Sequence, residues 1–315
     1  MARWQQPASC VGVTQTLSDN LAAGEIRELA SVPNLRGSRC LVVASDYGGE
    51  HAGATHQALA FLIADLAGCR EWETARHDLR DRYLRDGRRM AYKSLGDVRR
   101  RRALFPFLRA ADAIPGMLLA TLVARSVGTV FDGDLRSVIA DSEVAWDRPV
   151  FEKLLRVLHF VGFLNAGFSR PGQDVLWVTD QDAIVASDDH LVETTRLLAI
   201  ISSHYLRHDL GHLRVCSTRS DTGARDLEDL VSIPDLTAGA LTDIARWNPS
   251  MLKTTTGLVL PMMEDTPRKA AIIASWFAQG EARLRRTAFI IDTAKPKNRL
   301  RVRGMVLKDR GWSAK

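Results

Sequence analysis

Cysteine is scarce in this chain. Only Cys10, Cys40, Cys69 and Cys216 occur in 315 residues, and no two have C-x-x-C spacing. That excludes a disulfide scaffold and the usual zinc or redox pairings, and it predicts free thiols in a reducing cytosol. Cys40 and Cys216 lie in apolar runs and are expected to be small buried residues. Long hydrophobic runs are missing too. The most apolar stretch, 114–124, is far shorter than the ~20 residues of a membrane helix, and Arg125 follows it. It reads as a buried helix, and no membrane partner is expected. Met1 to Pro7 lacks the apolar stretch of a secretory signal, which fits a cytoplasmic setting.

Familiar site motifs are absent as well. There is no G-x-G-x-x-G fingerprint, which argues against a nucleotide-binding Rossmann-like enzyme. Gly48, Gly49 and Gly53 superficially suggest a phosphate loop, but no Lys-Ser/Thr follows, so a turn is the better reading. His204, His208 and His212 have i, i+4, i+8 spacing. Gly211 breaks the helix before His212 and no H-E-x-x-H exists, which argues against zinc. No internal repeat or low-complexity tract is present.

What remains is an ordinary globular composition, 46% hydrophobic and 25% charged, with a net charge of +6 and a pI near 9.3. The basic balance supports a polyanionic partner without requiring one. Short continuous apolar runs at 39–45, 175–179 and 213–217 predict strands buried on both faces, and 56–66 predicts another strand or a helix. Helical patterns cover much of 70–102 and 109–127. They recur at 149–162 through Phe151, Leu154, Leu155, Leu158 and Val161, and at 188–206 with Ser187 or Asp188 as cap. A further helix reaches Ala245. Strand and helix alternating in this way predict an α/β sheet with crossover connections. Residues 14–30 read as a helix or an arm. After Asn248-Pro249 the composition shifts to a helix at 268–280 and a basic hairpin, 287–292 and 300–307. The expected division is therefore an N-terminal arm, 1–36, a core, 37–247, and a basic C-terminal extension, 248–315.

Acids recur where strands end or a helix opens: Asp46, Asp180 with Asp182, and Asp235. In parallel α/β sheets, functional groups gather at the carboxyl ends of strands. Carboxylates clustered there repel one another unless they bind cations, and Mg²⁺ or Mn²⁺ prefers such oxygen ligands. Two such ions activate water and stabilise the leaving oxygen of a phosphodiester. Each aspartate alone is equally a turn or cap residue. Glu228 and Asp229, two turns before Asp235, read as surface charges rather than as an extension of the cluster. Arg99, Arg100, Arg101 and Arg102 form one basic run. Arg299, Arg301 and Arg303 alternate onto one face of the hairpin, a stripe able to track nucleic-acid phosphates.

Three segments carry a family resemblance. Ser45-Asp46-Tyr47-Gly48-Gly49 resembles the opening Asp-Glu-Ser-Gly motif of the bacterial domain-of-unknown-function family 3800, whose members look like ribonuclease-H-fold proteins. Trp177-Val178-Thr179-Asp180 is similar to the strand that presents the family's middle acid. Ser217-Thr218-Arg219-Ser220, followed by Ile233-Pro234-Asp235-Leu236-Thr237-Ala238-Gly239-Ala240, resembles its closing serine loop and helix. The resemblance spans about 39–245. It implies a ribonuclease-H-like mixed sheet flanked by helices and a Mg²⁺- or Mn²⁺-dependent nuclease of RNA or DNA, often in antiphage or mobile-element settings. Asp46, Asp180 and Asp235 would be catalytic metal ligands, with Asp182 or Glu50 as a fourth. Lys93 looks like the lysine that similar proteins carry between the first two acids, where it would offset phosphorane charge; a solvated surface lysine is the other reading. Tyr47 stands where the family has a second acid, and Pro234 places Asp235 at the start of a helix. These two departures favour the alternative, a catalytically inactive subunit that binds nucleic acid or a protein partner in a larger assembly.

Overall fold

The computed structural model describes residues 3–26, 32–51, 53–128, 130, 144–249, 252, 267–279, 282–294 and 299–305. Seven strands form one mixed sheet: β1 (Cys40–Gly48), β2 (His56–Asp65), β3 (Gly116–Ala124), β4 (Asp174–Thr179), β5 (Leu213–Ser217), β6 (Leu284–Ala294) and β7 (Arg299–Met305). Their order is β5-β4-β1-β2-β3-β6-β7. β1, β2 and β3 run antiparallel in succession, while β4 lies parallel to β1 and β5 parallel to β4. This is the ribonuclease-H-like α/β arrangement, widened at its far edge by β6 and β7. The basic hairpin therefore continues the main sheet, with β6 parallel to β3 and antiparallel to β7.

Helices cover both faces. α2 (Arg70–Tyr83), α3 (Val98–Ala111), α6 (Asp226–Trp247) and α7 (Arg268–Ala278) share one core with Val42, Ala44, Leu62 and Leu118. α1 (Thr14–Ile26), α4 (Arg148–Phe168) and α5 (Asp188–Tyr205) share the other with Leu41, Val43, Phe61 and Ile63. Strand side chains alternate between these layers, so residue parity alone assigns each one to a face. All four cysteines are free. Among the described residues, no helix is long and apolar enough to cross a membrane.

Three readings of the sequence change. The apolar run 114–124 is not a helix: Gly116–Ala124 is strand β3, buried at every position. A strand covered on both faces shows no alternation, which removes the signal that separates it from a buried helix. The cap of α5 is as expected, Ser187 Oγ accepting from the His190 N–H, 3.3 Å. Pro234, however, does not begin a helix; α6 runs through it, so Asp235 sits mid-helix. Of the spaced histidines, His208 meets Ser169 and His212 meets Asp174, so these two imidazoles take different partners. Asp229 is no surface charge either. It is fully buried and clamped by Arg76, 3.1 Å, and by Arg80 Nε, 2.6 Å, both from α2. Glu228 is buried beside it and paired with Arg225, 2.7 Å.

The row Asp46, Ala60, Ala120 and Ala288 crosses β1, β2, β3 and β6 in register. Its small side chains leave room for α6, which packs over β1, β2 and β3. Gly48 completes the path, since a Cβ there would lie 3.0 Å from Thr242 Oγ1 and 3.2 Å from the Ala238 carbonyl oxygen.

Removing the Asp229 carboxylate would take from the buried Arg80 its acid and leave Arg76 with Asp226 alone. Asp229→Ala is expected to cost roughly 3–5 kcal/mol, the range for a buried pair broken on one side. Urea unfolding checks this; a loss below about 1 kcal/mol would show the clamp to be dispensable.

Candidate active site

Asp46 and Asp180 are brought together by register. β1 and β4 run parallel with Ser45 opposite Thr179, so the next residue of each strand comes alongside its neighbour. Asp46 shares its face with Val42 and Ala44, which is the face α6 covers, and α6 carries Asp235. The closing acid thus approaches from the helix layer, the other two from adjacent strand ends.

The electrostatics record this convergence. Burial and then the charge of Asp235 hold the Asp46 carboxyl well above the usual carboxylate range, with Asp180 and Asp182 adding to the rise. The Tyr47 N–H, donating to Asp46 Oδ1 at 2.6 Å, opposes it. Asp235 is pushed up to about 6, chiefly by burial, against the lowering effects of the Tyr92 N–H and of Arg89. Asp180 is held by three donors: Thr218 Oγ1 at 2.7 Å, the Gln181 N–H at 3.0 Å and Arg89 at 2.9 Å.

Lys93 lies in a one-turn helix, Tyr92–Ser94, exposed and near enough to lower the proton affinity of Asp235. Its neighbour Tyr92 fixes that turn to α6. The Tyr92 N–H donates to Asp235 Oδ2 at 2.6 Å, its hydroxyl donates to Asp243, and its ring lies against Gly239. A Cβ on Gly239 would fall 2.2 Å from the ring, so only glycine permits this contact.

Asp182 and Glu50 meet elsewhere. Both bind the Lys153 ammonium of α4, Asp182 at 2.6 Å and Glu50 at 2.8 Å. Tyr47 points to that same side, its hydroxyl 2.8 Å from Ser45 Oγ and 3.2 Å from Thr179 Oγ1, its ring beneath Lys153 at 5.2 Å. Lys153 and Arg89 are the site cations that sequence reasoning misses. Lys153 left a faint signal, a lone lysine within an apolar helical stripe; Arg89 was one arginine in a charged segment.

The basic segments lie outside this centre. Arg99 to Arg102 occupy the start of α3; Arg99 pairs with Asp86 at 2.8 Å, while Arg101 and Arg102 are exposed. On β7, Arg301 and Arg303 do share a face, but both converge on Asp292, at 2.8 and 2.6 Å, which neutralises part of the stripe; Arg299 is exposed. No protein-family model matches the chain, and no curated protein matches it in sequence.

The metal-free pH dependence follows from Asp235. Its folded value of about 6 exceeds the ordinary 3.8, so the folded state holds the proton more tightly. Stability is therefore full at low pH and falls as pH rises through about 4 to 6. Asp235→Asn should remove that decline and gain on the order of 1–2 kcal/mol at pH 7, the full shift being discounted for partial exposure. Melting in EDTA across this range tests it, and parallel curves for the two proteins would refute it.

Proposed function

We propose that the chain is a divalent-metal-dependent phosphodiesterase of nucleic acid, in keeping with the resemblance to the domain-of-unknown-function family 3800. The observation that carries this reading is the meeting of Asp46, Asp180 and Asp235 on one sheet face, each raising or feeling the others' charge. The donor chemistry suits Mg²⁺ or Mn²⁺, since all three offer carboxylate oxygens, and the mutual charge that adds to burial at Asp46 and Asp235 is what a cation would relieve. Asp46, Asp180 and Asp235 would hold the metal. Bound there, it would supply an activated water and charge stabilisation for the leaving oxygen. Lys93, which is exposed, would meet a phosphate oxygen, and Arg89, which pairs with Asp180, would orient that acid or exchange it for the substrate's charge.

One observation favours a second reading. Among the described residues, no group of three or more His, Cys, Asp or Glu side chains is poised to hold a metal ion, and Asp180 is engaged by Arg89. A nucleic-acid-binding or scaffolding subunit without catalysis would look the same.

Cleavage of labelled RNA and DNA with Mn²⁺ separates the two. Asp46→Asn and Asp235→Asn should each lower cleavage roughly a hundredfold or more and weaken Mn²⁺ binding in calorimetry. Variants that cleave as well as the parent would end the catalytic assignment. Salt-sensitive nucleic-acid affinity without Mn²⁺ binding would establish the second reading.

A further inference from the structure

Beside the acids, on the α4 side of the sheet, lies a cavity of about 480 Å³. Among the described residues its lining includes Arg125, Lys153, Arg156, Gln57 and one carboxylate, Glu50. Lys153 is occupied by Glu50 and Asp182. The two arginines make no direct contact with an acid among the described residues, although the charge of Glu152 reaches Arg156. Arg125 donates to the carbonyl oxygens of Gly49, 2.6 Å, and His51, 3.0 Å. Arg156 donates to Gln57 Oε1, 2.7 Å, and to the Gly128 carbonyl oxygen, 2.6 Å. Among the described residues neither forms an ion pair. Both guanidinium groups are thus held in place by neutral acceptors while their charge stays available.

Arg125 is exposed, but Arg156 is half-buried, and half-burying a cation without a directly bound counter-ion is unfavourable. Burial does hold the affinity of Arg156 for its proton below the ordinary guanidinium value. A site that fixes two guanidinium forks by carbonyl oxygens, with no carboxylate bound directly to either among the described residues, suits an oxyanion with several acceptor oxygens. The start of α4, through Pro149 and Val150, also lines the cavity and adds the positive end of a 21-residue helix. Glu50 at the rim, tied to Lys153, disfavours a carboxylate-rich peptide less than it orders the lysine, so charge alone does not name the ligand. Position does: Lys153 joins this cavity to Asp182, whose charge reaches Asp46.

We infer that Arg125 and Arg156 form a phosphate seat for the nucleic-acid strand whose neighbouring linkage reaches the acids. This deepens the proposed function and rests on it for the identity of the strand. The shared chemistry is a phosphate; its source is either an internal diester or a terminal monophosphate.

The test measures binding in EDTA, where no metal-dependent cleavage occurs, so it is independent of the catalytic assignment. Single-stranded 12-mers with an internal fluorescein would carry a 5′-hydroxyl, a 5′-phosphate or a 3′-phosphate. The Arg125→Gln/Arg156→Gln double variant should lose roughly tenfold or more in affinity, with a shallower salt dependence by about one to two phosphate contacts. Loss on all three strands identifies an internal diester; loss confined to one phosphorylated strand identifies that terminus. Affinity within about twofold of the parent on every strand overturns the seat. If the double variant melts before the assay, Glu50→Gln decides instead. Removing the one carboxylate of the lining should tighten binding several-fold, and unchanged affinity overturns the proposal. Cleavage lost without a binding change, or the reverse, tells failure of the seat from failure of the nuclease reading.

Discussion

Holding three carboxylates together is the constraint around which this molecule is built. Asp46 and Asp180 are fixed by the parallel register of β1 and β4, and Asp235 is pressed toward them by α6. Burial of the Asp235 charge, with a smaller contribution from repulsion by Asp180, works against the docking of that helix. The shift of Asp235 to about 6 corresponds to at most ~3 kcal/mol of opposition at neutral pH. Against it stand Leu230, Val231, Ile233, Leu236, Leu241 and Ile244, all buried on α6. At roughly 1.5–3 kcal/mol for each buried side chain, the apolar contribution is several times larger. Packing wins, so the acids are held in a repulsive arrangement that they would not adopt alone.

How close α6 comes depends on what is small. Ala60 and Ala120 beside Asp46, and Gly48 at the strand end, form a shallow track across the sheet. On an adjoining face of the helix, Gly239 admits the Tyr92 ring, and the same turn delivers its N–H to Asp235 and Lys93 to the rim. The α2 arginines anchor the first turns of α6 through Asp229. The helix is thereby positioned at its start by charge, along its length by apolar contact, and near the acid by glycine.

These features were unevenly legible in the sequence. Strands β1, β4 and β5 announce themselves as short apolar runs closed by polar residues, and α4 and α5 by their periodicity. β3 does not, because burial on both faces erases the pattern that distinguishes strand from helix. The aspartates at 46, 180 and 235 were visible as strand-end or helix-associated acids. Their meeting was not, since it depends on register and on a helix crossing that no local pattern encodes. Pro234 misdirected the helix start because a local rule was applied where tertiary packing over the sheet decides. Asp229 looked like a surface charge for a related reason: its partners Arg76 and Arg80 lie about 150 positions away.

Lys153 connects the two halves of the site. An ammonium only 8% exposed is tolerable because Asp182, Glu50 and the Tyr47 ring surround it. In return it partly offsets Asp182, one of the charges that raise Asp46. Tyr47 therefore contributes by supporting this lysine on the face away from α6, so a tyrosine at that position does not disturb the grouping of Asp46, Asp180 and Asp235. The departure that makes the opening motif look weakest lies on the opposite side of the strand from the carboxylates. The sheet then separates two tasks, with acids gathered under α6 and cations gathered under α4. A strand of phosphates passing over the shared edge of β1 would meet both.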